Sequence, residues 1–141
     1  MFVKLQVEVI VGSKRPRKIY LAARYSLRFA MQDEAKKLNN AGYDVISSWI
    51  YGDEEDQLTP EGLHKIAQKD IDQVRDCDIL VTFSEPAGSY NRGGGRHTEL
   101  GLAMAWDKPC VLIGPKEQIF HHWYGVTQYN LIEDFIDDYT S

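Results

Sequence analysis

Val3, Leu5, Val7, Val9 and Val11 alternate with mostly polar neighbours, and this period of two predicts a half-buried strand. Gly12-Ser13-Lys14-Arg15-Pro16 then reads as a turn. Ile19–Ala23 is a short unbroken apolar run, the pattern of a strand buried on both faces. Beyond it the period lengthens. Ser26 is placed to cap a helix running to about Asn40, with Leu27, Ala30, Met31, Glu34 and Leu38 on one side and Gly42 as its stop. Val45–Ile50 is the next predicted strand, and Tyr51–Leu58 an acidic loop. Thr59-Pro60-Glu61 is a strong helix start, a capping residue followed by proline, and the helix runs to about Arg75. Ile79–Phe83 is a continuous apolar strand. A long Gly-rich loop, Ser84–Gly95, leads into a helix to about Trp106. Asp107-Lys108-Pro109 turns into the strand Cys110–Ile113, and an aromatic-rich segment precedes a short acidic helix from about Leu131.

Strands that alternate with helices and carry unbroken apolar runs predict an α/β fold: a doubly wound, mostly parallel sheet covered on both faces. The N-terminal strand is an addition at an edge. Such sheets bind ligands beyond the carboxyl ends of their strands. That places Ala22–Ser26, Trp49–Gly52 and Ser84–Gly95 on one functional rim. The length, 141 residues, fits a single domain over 1–141.

Composition narrows the function. No apolar run is long enough to span a bilayer, and the alternating start is unlike the continuous block of a secretory leader. The net charge of -5 argues against a nucleic-acid polymer as partner, because phosphate neutralisation needs a basic face. Lys14, Arg15, Arg17, Lys18, Arg24 and Arg28 nevertheless cluster early, which leaves a small anionic ligand open beside the plainer reading of solvated loops. Cys77 and Cys110 each sit among apolar residues beside a strand. They read as buried free thiols, which favours a reducing compartment, the cytoplasm. His121-His122 has no third ligand at helical spacing, so a metal is not expected.

Two carboxylates stand out. Asp70 falls inside the apolar stripe Leu63, Ile66, Ala67, Ile71, Val74 of its helix. Either it sits at the stripe's margin and reaches solvent, or it faces the sheet and has a perturbed pKa. Glu99 follows Gly93-Gly94-Gly95 near the start of the next helix, where the helix dipole favours its ionised form. It is either a surface residue stabilising the helix start or a rim nucleophile. The glycine spacing matches neither the P-loop nor the dinucleotide fingerprint. Together, one ionised and one protonated carboxyl suit glycosidic cleavage, whose oxocarbenium-like transition state needs a nucleophile and a proton for the leaving group.

Several short pieces occur in a family-like order: Ile19-Tyr20-Leu21-Ala22-Ala23, Lys69-Asp70-Ile71 before Asp78-Ile79-Leu80-Val81, and Glu99-Leu100-Gly101-Leu102-Ala103 before Lys108-Pro109. In these the chain resembles the nucleoside 2-deoxyribosyltransferase superfamily. It is similar above all to small phage and bacterial members with a Gly-Gly-Arg-His segment and an early Arg-Tyr-Ser, here Arg24-Tyr25-Ser26. The resemblance implies a flavodoxin-like fold and a homodimer or larger oligomer. It implies that Glu99 attacks the anomeric carbon of a nucleoside or nucleotide to form a glycosyl-enzyme, that Asp70 assists the departing base, and that Tyr20 lines the sugar–nucleophile region. Water or a second base then resolves the intermediate, and the resemblance implies no metal or organic cofactor.

The chain departs from the transferases at Gly93, where they carry Asp, and from the mononucleotide hydrolases in that its nearest hydroxyl is the displaced Ser89. Arg24, Ser26, Ser89, Arg92 and Arg96 are the phosphate candidates, with the backbone of Gly93, Gly94 and Gly95 beside them. His97 is placed either to adjust Glu99 or touch the sugar, or simply to hydrogen-bond the backbone at the helix start, and Trp49 either to stack on a base or to pack in the core. The alternative to an enzyme is a non-catalytic nucleotide-binding sensor on the same fold.

Overall fold

A computed structural model describes residues 15–52, 56–85 and 94–140. The expected strand Val3–Val11 lies outside them. Five strands form one sheet in the order β2-β1-β3-β4-β5: β1 (Lys18–Ala22), β2 (Asp44–Val45), β3 (Ile79–Phe83), β4 (Cys110–Ile113) and β5 (Val126–Tyr129). Every pairing among them is parallel. The helices are α1 (Arg28–Asn40), α2 (Pro60–Asp76), α3 (Gly95–Ala105) and α4 (Ile132–Thr140). This is the flavodoxin-like order, with its topological switch between β1 and β3.

The alternation of side chains along a strand divides the core in two. Ile19 and Leu21 of β1, Ile79 and Val81 of β3, and Val111 of β4 pack with Met31, Ala35 and Leu38 of α1 and Ile132 and Phe135 of α4. Tyr20, Ala22, Leu80 and Cys110 face the other way, against Val74 of α2 and Leu100 and Ala103 of α3. Both faces of β1, β3 and β4 are therefore buried, which is why their sequences read as unbroken apolar runs. Cys77 and Cys110 are buried and unbridged. Among the described residues, no helix is long and apolar enough to cross a membrane.

Three parts of the chain differ from the expectation. The strand expected over Val45–Ile50 stops at Val45. Ile46 still donates its N–H to the Ile19 carbonyl at 2.9 Å, but the next edge donor, the N–H of Leu21, goes to the Ser47 hydroxyl at 3.0 Å. A side chain replaces the ladder there, and the backbone winds into a 3₁₀ turn, Ser48–Tyr51. At the other edge, Val126–Tyr129 pairs with β4, although only Val126 and Tyr129 are partly buried and Thr127 and Gln128 are exposed. An edge strand with a half-wet face carries little apolar signal. Finally, Ser26 does not cap α1. It lies within a 3₁₀ turn, Tyr25–Leu27, and the N-cap Leu27 makes no side-chain bond.

The helix that carries Asp70 is held at both ends. The Thr59 hydroxyl accepts the Gly62 N–H at 2.9 Å, and Lys108 Nζ donates to the carbonyls of Arg75 and Cys77 at 2.5 and 2.7 Å. A cap and a cation at the proper ends of the dipole fix α2 against the sheet.

Candidate active site

Tyr20 projects from β1 toward the side covered by α2 and α3, and there meets the two carboxyls. Its hydroxyl donates to Glu99 Oε2. Glu99 sits in the second turn of α3. Asp70 of α2 and Glu99 both line one pocket of about 660 Å³, together with Ala23, Arg24, Tyr25, Ser26, Trp49 and Gly95. The pocket opens at the carboxyl end of β1, on the rim expected for this topology.

The apolar stripe of α2 is split between two tasks. Val74 is fully buried in the core, whereas Leu63 and Ile66 line the pocket with Asp70. The stripe acid thus faces a cavity wall rather than the sheet. The 3₁₀ turn Ser48–Tyr51 forms the opposite wall. Gln73 of α2 clamps it, accepting the Ser48 N–H at 3.1 Å and donating to the Ser48 hydroxyl at 2.9 Å. The indole N–H of Trp49 donates to the Leu21 carbonyl at 2.7 Å. That bond pins the ring at the pocket wall, with Tyr25 tilted beside it at 6.3 Å between centroids. Gly52 closes this wall with φ 69°, and a Cβ there would stand 2.8 Å from the Tyr25 hydroxyl, so both conformation and space require glycine.

Burial dominates the electrostatics. It pushes Glu99 up from 4.5 to about 8, with the Asp70 charge adding to the rise and the Tyr20 hydrogen bond opposing it. It pushes Asp70 up from 3.8 to about 6, with Lys69 opposing. The phenol of Tyr20 is held far above its usual range, first by burial and then by Glu99 and Asp70, so it remains a donor. The dipole argument for an ionised Glu99 is therefore overturned. Desolvation outweighs it, and at neutral pH Glu99 holds a proton more firmly than Asp70 does.

Of the expected phosphate and substrate residues, Arg24, Ser26, Trp49 and Gly95 line the pocket. Arg24 is steadied there by Glu85, 3.2 Å away. Gly94 is the exposed N-cap of α3 and is not part of the lining. Ser89, Arg92 and Gly93 lie outside the described residues. Arg96 and His97 turn away from the pocket. Arg96 is 3% exposed and pairs with Glu117, and the His97 ring lies 5.9 Å from that of His121. His97, Glu117 and His121 form the one group among the described residues with ligand-type atoms close enough for a metal, all within 4.8 Å of one another. His122, paired with His121 in sequence, is exposed and is not part of this group. The sequence reading missed Lys65 and Lys69, which bring two more cations to the pocket. Their spacing of one helical turn, beside Asp70, was the available signal.

The family model for nucleoside 2-deoxyribosyltransferases matches residues 19–131. The chain belongs to this family. The matched stretch contains Tyr20, Asp70 and Glu99. No curated protein matches it in sequence. Among solved structures, a 2-deoxyribosyltransferase from Bacillus psychrosaccharolyticus is similar at TM-score 0.64 and 22% identity, over 85% of this chain and 90% of that one. A CMP N-glycosidase from Clostridium botulinum is similar at TM-score 0.57 and 21% identity, over 87% and 98%. A 2-deoxyribosyltransferase from Leishmania mexicana is similar at TM-score 0.55 and 20% identity, over 82% and 75%. These members of the comparison share the α/β fold with the chain. The family makes it an enzyme of the nucleoside 2-deoxyribosyltransferase type, acting on small-molecule nucleosides.

Proposed function

We propose that this chain cleaves the N-glycosidic bond of a nucleoside or nucleoside 5′-monophosphate through a covalent intermediate on Glu99. The observation that carries this is the bond from Tyr20 to Glu99, in a pocket shared with Asp70. Tyr20 holds one oxygen of the Glu99 carboxyl, and the other attacks the anomeric carbon. The C–N bond breaks, its electron pair leaves with the base, and Asp70 supplies the proton the base needs. Water or a second base then attacks the same carbon. When water attacks, the Asp70 carboxylate takes its proton, and Glu99 departs as carboxylate. The two raised acids share a proton near neutral pH. The attacking form places it on Asp70, and a sugar gaining positive charge opposite Glu99 favours that form.

Trp49 and Tyr25 offer an aromatic wall to a base. Arg24, Lys65 and Lys69 offer cations to a phosphate, and the similar CMP N-glycosidase acts, by its name, on CMP. The exposed Ile119, Phe120, Trp123 and Tyr124 support assembly as a homodimer or larger oligomer, which sedimentation tests. Free buried cysteines fit a cytoplasmic site of action.

The test is a panel of nucleosides and 5′-monophosphates, with and without an acceptor base, followed by product identification. Free base without exchange identifies a hydrolase, and a new nucleoside identifies a transferase. Release that persists in Glu99→Ala removes Glu99 as nucleophile. Saturable binding without turnover supports the sensor instead.

A further inference from the structure

Arg96, His97, Glu117 and His121 gather beside the first turn of α3, outside the pocket lining. By residue type, two imidazoles and a carboxylate resemble a metal site. The hydrogen bonds say otherwise. Gln118 Oε1 accepts the Phe120 N–H at 2.9 Å, which fixes the direction of its amide. Its Nε2 therefore donates to His97 Nδ1, 3.1 Å away. The backbone N–H of Glu117 donates to His121 Nδ1 at 3.1 Å. Each imidazole thus accepts at Nδ1. Burial and the charge of Arg96 hold both rings neutral, against the pull of Glu117, and a neutral ring that accepts at Nδ1 carries its proton on Nε2. Neither ring presents a lone pair to a cation, and the Glu117 carboxylate is already engaged by Arg96.

The cluster is instead rich in donors. His121 is 1% exposed and Arg96 3%. His121 Nε2 and Arg96 Nε and Nη2 are buried without a hydrogen-bond partner among the described residues. Glu117 bonds to both residues, which makes them neighbours. Buried donors are ordinarily satisfied, and a group of three that is not calls for an acceptor. These donors are of the kind an oxyanion takes: the two N–H groups of one guanidinium edge can bond adjacent oxygens, and the neighbouring His121 supplies an imidazole N–H.

We propose that Arg96 and His121 form a binding site for a phosphoryl group, with His97 at its side, outside the residues that line the nucleoside pocket. The site depends on no assumption about catalysis. A chain of bonds joins it to the pocket: the Glu85 N–H donates to Glu117 Oε2 at 3.4 Å, and Glu85 pairs with the pocket residue Arg24. Inorganic phosphate and the phosphate of a nucleotide share the chemistry required.

The experiment is nitrogen-15 NMR of the intact protein, following the His121 Nε2–H and Arg96 Nε–H resonances. The resting His121 is expected as the Nε2–H tautomer. Inorganic phosphate, against chloride at equal ionic strength, is expected to shift both resonances saturably. His121→Phe, which removes the donor, is expected to weaken phosphate by about tenfold, the effect of one hydrogen bond to a charged group. His121→Gln, whose amide N–H replaces Nε2–H, is expected to keep most of the affinity. A backbone spectrum checks that each variant folds, and the glutamine variant with the wild-type titration decides if the phenylalanine variant does not. Competition between CMP and phosphate assigns the site to a nucleotide's phosphoryl group, and independent binding assigns it to the free anion. An Nδ1–H tautomer, no response to phosphate, or zinc displacing the Nε2 proton each overturns the proposal.

Discussion

Replacing Glu99 by glutamine isolates what burial does to this site. A carboxyl raised in the fold from 4.5 to about 8 binds its proton more tightly folded than unfolded. Between those pH values the unfolded chain has released the proton and the folded chain has not. Stability is then fully present below about pH 4.5 and is lost as pH rises toward 8. The full rise corresponds to roughly 4–5 kcal/mol. Glu99 keeps some contact with solvent through the pocket, so about half of that, roughly 2 kcal/mol, is the expected loss. A glutamine side chain does not titrate, and its amide oxygen still accepts the Tyr20 hydroxyl. The wild type and Glu99→Gln are therefore expected to melt together near pH 5. Near pH 8.5 the variant melts on the order of 5–10 °C higher, taking a few degrees per kcal/mol for a chain of this size. Asp70, raised from 3.8 to about 6, contributes to the pH slope of both proteins and cancels to first order. The assay is thermal melting followed by circular dichroism from pH 4.5 to 9. An equal difference in Tm at pH 5 and pH 8.5 would refute the claim that Glu99 is strained by desolvation.

In Tyr20→Phe, Glu99 loses the bond that opposes its raised pKa. The acidic limb of the kcat/KM profile is expected to move to higher pH, with the neutral rate down by about tenfold or more, and an unmoved limb contradicts the assigned contact. Arg24→Ala is expected to raise KM for a 5′-monophosphate by about tenfold while changing the nucleoside little; equal losses on both substrates place Arg24 away from the phosphate. Thr59→Ala removes the cap bond of α2 and is expected to cost about 1 kcal/mol, read as a few degrees of Tm in a melting curve, and full wild-type stability contradicts the cap.

Much of the architecture was legible in the pattern of residues. β1, β3 and β4 are buried on both faces, so their apolar runs announce a parallel sheet, and Thr59-Pro60 and Gly42 mark the ends of helices by local chemistry. The ordered short pieces around Tyr20, Asp70 and Glu99 pointed to the family. What failed locally failed for a nonlocal reason. Val45–Ile50 has the composition of a strand, but the Ser47 hydroxyl takes the bond that would extend it. β5 is a strand because β4 offers it an edge.

Tertiary structure alone decided the state of the site. Tyr20 and Glu99 lie 79 residues apart, and nothing near Glu99 in the chain reveals that a buried phenol will meet it. The local rule, a glutamate near a helix start and so ionised, yields to desolvation supplied by distant elements. Arg96 and His97 read as pocket residues because they precede Glu99 by only a few positions. The helical turn sends them instead toward Glu117 and His121. Short-range sequence specifies backbone period and caps. The protonation of a carboxyl and the direction a side chain serves depend on the dielectric and partners that packing brings from elsewhere in the chain.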